Sequence, residues 1–170
     1  MSDMEIIRKM IAGDPPVNIE AIIRQLGLTV VKNADLHQDI SGQIMRLPDG
    51  RYEISSSSGE HYFRQRFSLA HELGHYVLHK NLIGAGVDDN KKYRSTENGN
   101  YYNTAIDLAH EQQANSFAAN ILMPEKAVRR SVQEGGKSIV DLYKEFQVSS
   151  SAMNWRLKNL GLADQVEGAG

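Results

Sequence analysis

The 170-residue chain contains no cysteine. Disulfides and thiolate metal ligands are thereby excluded, so any metal must be held by histidine and carboxylate, and a reducing compartment fits. Excess charge is equally scarce: 19 Lys and Arg against 21 Asp and Glu give a net −2 at pH 7. No overall basic field is available to recruit nucleic acid or an anionic membrane. No apolar run approaches the roughly 18 residues that a membrane span needs. The opening Met1-Ser-Asp-Met-Glu-Ile-Ile-Arg8 places charges where a signal peptide needs an apolar stretch. A cytoplasmic location is the expectation. Glycine-rich phosphate loops, paired nucleophile and base, and internal repeats are all missing. With 41% hydrophobic residues, the chain is expected to form one domain over 1–170 with its own core.

What is present is His71-Glu72-Leu73-Gly74-His75, an H-E-x-x-H motif in the helical pattern Phe67 to His79. Residues four apart on an α-helix lie nearly above one another, so both imidazoles share a face and can share an ion. Glu72 lies about 100° round from His71, close enough to reach a metal-activated water without being a ligand. Two neutral nitrogens, an open coordination position and a nearby carboxylate base are what a zinc hydrolase requires. Leu69, Ala70, Leu73, Val77 and Leu78 supply apolar positions around the polar triplet.

A second helical segment, Ile106 to Leu122, carries Glu111 opposite the apolar series Ala114, Phe117, Ala118, Ile121 and Leu122. Two histidines and a glutamate form a standard catalytic zinc set. His79 lies about 12 Å along the axis from His71, too far to share an ion on a straight helix, and is expected beneath the site. A metzincin extension is excluded, because positions 78 and 81 hold Leu78 and Asn81 rather than glycine and histidine. His110 points about 100° away from Glu111; it is a candidate for contacting substrate or an oxyanion, or an exposed histidine.

Arg64-Gln-Arg-Phe-Ser-Leu-Ala-His-Glu-Leu-Gly-His75, followed by Leu78-His79 and by Glu111-x-x-Ala114-Asn115-x-Phe117-Ala118-x-x-Ile121-Leu122-Met123-Pro124, resembles the ImmA/IrrE family of metallopeptidases. The resemblance implies Zn2+ as cofactor, His71, His75 and Glu111 as its ligands and Glu72 as general base. It further implies a site-specific endopeptidase whose protein substrate is a separate helix-turn-helix repressor, so that cleavage derepresses stress, prophage or mobile-element genes. The alternative is an antirepressor or antitoxin-like binding module that captures a transcription factor without turnover; a weaker one is a direct DNA-binding regulator. Two departures bear on which substrate fits: the long polar stretch from His75 to Glu111, and Ile54-Ser55-Ser-Ser-Ser58 where such proteins run a strand into an Asn-containing turn.

The remaining pattern implies an α+β fold: a small three-stranded sheet packed on a helical zincin-like core, with a helical C-terminal tail. Helices are expected at Asp3 to Ala12 and Ile19 to Leu26, the second capped by Asn18 and ended by Gly27. Strands are expected at Leu28 to Val31, Ser41 to Leu47 and Arg51 to Ser55, the last two flanking the turn signal Pro48-Asp49-Gly50. The sheet edge is a candidate cradle for an extended substrate. Residues 84–104 lack periodicity and link the ligand helices; Tyr101 and Tyr102 are candidates to reach the site or, as the preferred reading, loop anchors. Residues 139–162 have a helix-turn-helix rhythm. Arg156 and Lys158 could meet phosphates, but Met153, Trp155, Leu157 and Leu160 read as packing residues, so direct nucleic-acid binding is not expected. Ala163 to Gly170 is expected to fray.

Overall fold

The structure is a computed structural model describing residues 1–92 and 94–170. Two N-terminal helices, α1 (Asp3–Met10) and α2 (Ile19–Gln25), are followed by strands β1 (Thr29–Ala34), β2 (Ile40–Arg46) and β3 (Tyr52–Ser57). Helix α3 (Tyr62–Ile83) then leads into strand β4 (Gly86–Asn90). Helices α4 (Leu108–Leu122), α5 (Glu125–Gln133), α6 (Ile139–Phe146) and α7 (Ser150–Asn159) follow, with a 3₁₀ turn at Ala163–Gln165.

Local chemistry accounts for most of these boundaries. Ser2 and Glu5 close a reciprocal capping box on α1. The Asn18 side chain accepts from the Ala21 N–H at 3.0 Å, and Gly27 leaves α2 at φ +86°. At the β2–β3 turn, Gly50 adopts φ +87° and its N–H donates to the Leu47 carbonyl at 2.9 Å. These elements agree with the expectation from the sequence.

The sheet has four strands in the order β1-β3-β2-β4, not the three expected. β1 lies parallel to β3, while β2 is antiparallel to both β3 and β4. The extra strand comes from the first part of the 84–104 stretch. Gly-Val-Asp-Asp-Asn has only Val87 as an apolar anchor and poor intrinsic β-propensity, so pairing with β2 is what makes it a strand.

Helix α3 crosses the sheet on one face and packs along α4 on the other. Its core-facing residues Leu69, Ala70 and Leu73 are fully buried with Ile22, Ile44, Ile54 and Leu122. Gly74 sets the helix–helix distance: a Cβ there would lie 3.1 Å from both Ala114 Cα and Phe117 Cδ1. The helix bends at His79, whose φ/ψ of −127°/24° is non-helical.

In the tail, α6 ends at Gln147 in the left-handed conformation and α7 begins at the cap Ser149. Leu142, Phe146, Val148, Met153 and Leu157 join the common core. Arg156 is turned inward, its Nε donating to the Met123 carbonyl at 2.9 Å, so its charge is spent inside the fold. Trp155 corrects the packing expectation: it is 47% exposed, because Met153 and Leu157 occupy the inward face of α7 and position 155 lies about 200° round from 153. The final residues do not fray. Val166 is buried and the Ile139 N–H donates to the Glu167 carbonyl at 2.8 Å. Among the described residues, no helix is long and apolar enough to cross a membrane.

Candidate metal centre

The two histidines of the motif project from the middle of α3 and are completely buried, as is Glu72 between them. Because α4 lies against α3 at Gly74, Glu111 arrives one turn before Ala114 on the facing helix. Its Oε1 lies 2.8 Å from His75 Nε2 and its Oε2 3.2 Å from His71 Nε2. A fourth side chain, absent from the expectation, comes from β4. Asp89 Oδ2 lies 3.4 Å from His71 Nε2 and 3.3 Å from His75 Nε2. One donor atom from each of His71, His75, Asp89 and Glu111 falls within 4.8 Å of every other.

These spacings fit an ion better than a hydrogen-bond network. His75 Nε2, Glu111 Oε1 and both Asp89 oxygens are buried without a hydrogen-bond partner among the described residues. They approach one another closely but do not aim at one another. Bonds of about 2.0–2.1 Å in a tetrahedral array separate the ligand atoms by roughly 3.3–3.4 Å, and three of the four separations given above are 3.2, 3.3 and 3.4 Å. Two neutral imidazoles and two carboxylates also leave a buried charge near −2, which a divalent cation neutralises. The donor set therefore fits a metal.

The outer ring nitrogens are held in a way that frees Nε2 for that purpose. His71 Nδ1 lies 2.8 Å from Asn115 Oδ1, so Nδ1 carries the proton. His79 Nε2 lies 2.6 Å from Gln113 Oε1 and so donates to it. That leaves His79 Nδ1 as the acceptor for His75 Nδ1–H at 3.1 Å. The bend at His79 is what lets this third histidine turn back under His75, as expected of a residue beneath the site. Asn115 and Gln113 sit four and two residues after Glu111 on α4; the i, i+4 spacing from Glu111 was the available signal for Asn115.

Burial and the neighbouring charges set the protonation of these groups against one another. Burial alone pushes both histidines toward neutrality, but the close Asp89 and Glu111 carboxylates outweigh it, raising His71 and lifting His75 to about 9. Burial opposes ionisation of Asp89 too, yet the two histidines hold it well below the usual carboxylate range. Glu72 goes the other way: burial first, and then the negative charge of Asp89, raise it well above an ordinary glutamate. Both Glu72 oxygens lack a partner among the described residues. The wall over them is Gly42 of β2, where a Cβ would come 2.9 Å from Glu72 Oε1.

His110, Tyr101 and Tyr102 lie further out. His110 packs edge-on to His79 with ring centroids 4.8 Å apart, and its Nδ1 accepts from the Asp107 N–H in the cap of α4. Tyr101 packs its ring over Gly86, and its N–H donates to Asp88 Oδ2 at 2.7 Å. Tyr102 is 54% exposed. Tyr101 thus clamps β4 from outside the buried cluster.

The signature of the IrrE N-terminal-like domain, a peptidase domain, matches residues 23–158. Over 97 residues the chain is 33% identical to the radiation response metalloprotease IrrE of Deinococcus radiodurans, covering 55% of this chain and 27% of that protein. A solved structure described as a Mycobacterium tuberculosis transcriptional regulator superposes with a TM-score of 0.60 at 19% identity, over 92% of this chain and 46% of that one. At that identity the likeness is one of fold. The chain spans about a quarter of the curated relative and less than half of the solved structure.

Proposed function

The chain belongs to the IrrE N-terminal-like domain family of peptidases, and from that premise we propose that it is a zinc-dependent endopeptidase cleaving a specific regulatory protein, a helix-turn-helix repressor. The observation that carries this reading is the buried convergence of His71, His75 and Glu111, with a partnerless Glu72 carboxylate beside them. Nitrogen and oxygen donors without thiolate, at the spacing of a small tetrahedral ion, favour zinc.

His71, His75 and Glu111 hold the ion, and Asn115 and His79 fix the tautomers of the two histidines. Zinc in such a site supplies Lewis-acid polarisation of a carbonyl and brings a water's pKa to about 7. Glu72, whose carboxyl burial raises well above the ordinary glutamate range, is the base placed to take a proton from the attacking water and deliver it to the departing amine. Gly42 leaves room above that carboxylate that any side chain would fill. His110 and the tyrosines 101 and 102 are assigned no chemical step.

A non-catalytic module that merely captures a transcription factor would need the ligands but not Glu72. Keeping a buried carboxylate with no partner costs stability, which selection tolerates where the group works. Direct DNA reading is disfavoured by the inward Arg156. The test is to incubate the zinc-loaded chain with a helix-turn-helix repressor encoded beside it and follow fragments by mass spectrometry. Glu72→Gln should keep its zinc and yield no fragment. Repressor release that survives this substitution, without cleavage, would support the binding module instead.

A further inference from the structure

A peptidase needs one coordination position that the protein leaves open, yet four side chains reach this centre. The fourth, Asp89, is fully buried and stands 3.4 and 3.3 Å from the two Nε2 atoms, against 3.2 Å from Glu111 Oε2 to His71. It is delivered by β4, a five-residue strand at the sheet edge that runs antiparallel to β2, with Gly42 opposite Asp89, Gln43 opposite Asp88 and Ile44 opposite Val87. Gly42 is also the residue that roofs Glu72. The strand therefore lies along the edge nearest the base, where an extended peptide would have to lie to present a bond to Glu72. Edge addition of this kind is how many sheets hold peptides.

The same strand is weakly built. Only Val87 is an apolar core residue in it, its pairing with β2 breaks register between Ile40 and Gly42, and it carries two buried aspartates. Asp88 is tied by the Gln43 side-chain amide at 2.6 Å and by the Tyr101 N–H at 2.7 Å. These are polar ties that an incoming strand and water can replace. Among the described residues no helix or named strand follows β4 before α4. Displacement must therefore exchange the β2–β4 ladder for an equivalent one with the incoming strand. It must also break the Ser41 hydroxyl's bond to the Asn90 carbonyl, the backbone bonds from Asp88 and Asn90 to residues 94–101 and the packing of Val87.

We propose that β4 is an intramolecular stand-in for substrate: it covers the β2 edge and places Asp89 on the metal, and an extended segment of the protein substrate, running antiparallel to β2, displaces both. The resting centre is then closed by its own chain. Removal of Asp89 leaves the ion held by His71, His75 and Glu111 with one position free beside Glu72. The inference rests on the metallopeptidase reading and adds to it a mode of substrate capture and a built-in restraint on stray hydrolysis.

The test uses the full chain loaded with zinc or cobalt(II), and acetohydroxamic acid as a probe for an open coordination position. A closed state that dominates by tenfold or more weakens probe binding by the same factor. Asp89→Ala, and the size-conserving Asp89→Asn as a guard against misfolding, should therefore bind acetohydroxamate about tenfold or more tighter than the wild type. The cobalt(II) absorption spectrum should change on substitution. Probe binding to the wild type should accelerate hydrogen exchange at the amides of residues 87–90. Equal probe affinity and unchanged spectra in both variants would overturn the proposal while leaving the metal centre intact, as would unaltered exchange in β4 when the probe binds. A wild-type chain that takes up neither ion would instead remove the metallopeptidase reading, and this inference with it.

Discussion

Gly74 occupies a variable position of H-E-x-x-H, yet the packing makes it a determinant of the site. In Gly74→Ala the new Cβ would stand 3.1 Å from Ala114 Cα, 3.1 Å from Phe117 Cδ1 and 3.3 Å from the Ala114 carbonyl oxygen. Two of those neighbours are backbone atoms and cannot swing aside. Carbon–carbon contacts relax to about 3.5–4.0 Å, so α4 must withdraw from α3 by roughly half an ångström. Overpacking of this kind costs about 1–3 kcal/mol, and replacing a mid-helix glycine by alanine returns about 1 kcal/mol. The net loss of stability should be modest, roughly 0–2 kcal/mol. The effect on the site should be larger. Glu111 sits one turn before Ala114 and moves with it, whereas metal–ligand distances tolerate only about 0.2 Å. Zinc affinity should fall about tenfold or more, equivalent to about 1.4 kcal/mol, measured by competition with a chromophoric chelator. A Gly74→Ala protein with raised melting temperature and wild-type zinc affinity would refute the claim that this close approach positions Glu111.

Three further outcomes follow from the same geometry. Asn115→Ala removes the partner of His71 Nδ1 and should weaken zinc binding about 10–100-fold while the far-ultraviolet circular dichroism stays native; unchanged affinity would sever Asn115 from the site. Glu111→Gln should lose most of the bound zinc on dialysis yet remain folded, and full retention would contradict its role as ligand. In the metal-free protein His75 titrates at about 9 instead of 6.5, so the folded state binds this proton more tightly than the unfolded state. That contribution, roughly 3 kcal/mol at most, is complete below pH 6.5 and disappears as pH rises to about 9. Metal-free melting temperatures should therefore fall across that window while the increment added by zinc grows, and a flat metal-free profile would contradict the assignment.

The parts of this site that could be read from sequence are those governed by helix geometry. The 3.6-residue period alone puts His71 and His75 on one face. Glu111 corrects the expectation of a face opposite the apolar series: it is buried on the same side of α4 as Ala114, Ala118 and Leu122, since residues three, seven and eleven positions on lie within about 60° of it. Asp89 obeys no such local rule. Its strand exists because β2 offers an unpaired edge, and a Gly-Val-Asp-Asp-Asn segment reads as loop until that edge is present. The same dependence on tertiary pairing hid the ordered C-terminus, where the Glu167 carbonyl finds the Ile139 N–H across the start of α6. Helix α5 is nine residues long, with Ala127, Val128, Ser131 and Val132 buried, and its apolar stripe is too short to stand out in the chain. The bend at His79 is likewise invisible to a straight-helix argument, which is why the distance from His71 excluded it as a ligand but could not show it supporting His75.

The central claim is that one divalent ion is gripped between α3 and α4. The most direct measurement is X-ray diffraction from zinc-loaded crystals, collected on either side of the zinc absorption edge. A single anomalous peak should appear between His71 Nε2, His75 Nε2 and the Glu111 carboxylate. No peak there, or one bound by other side chains with these three facing elsewhere, would contradict it.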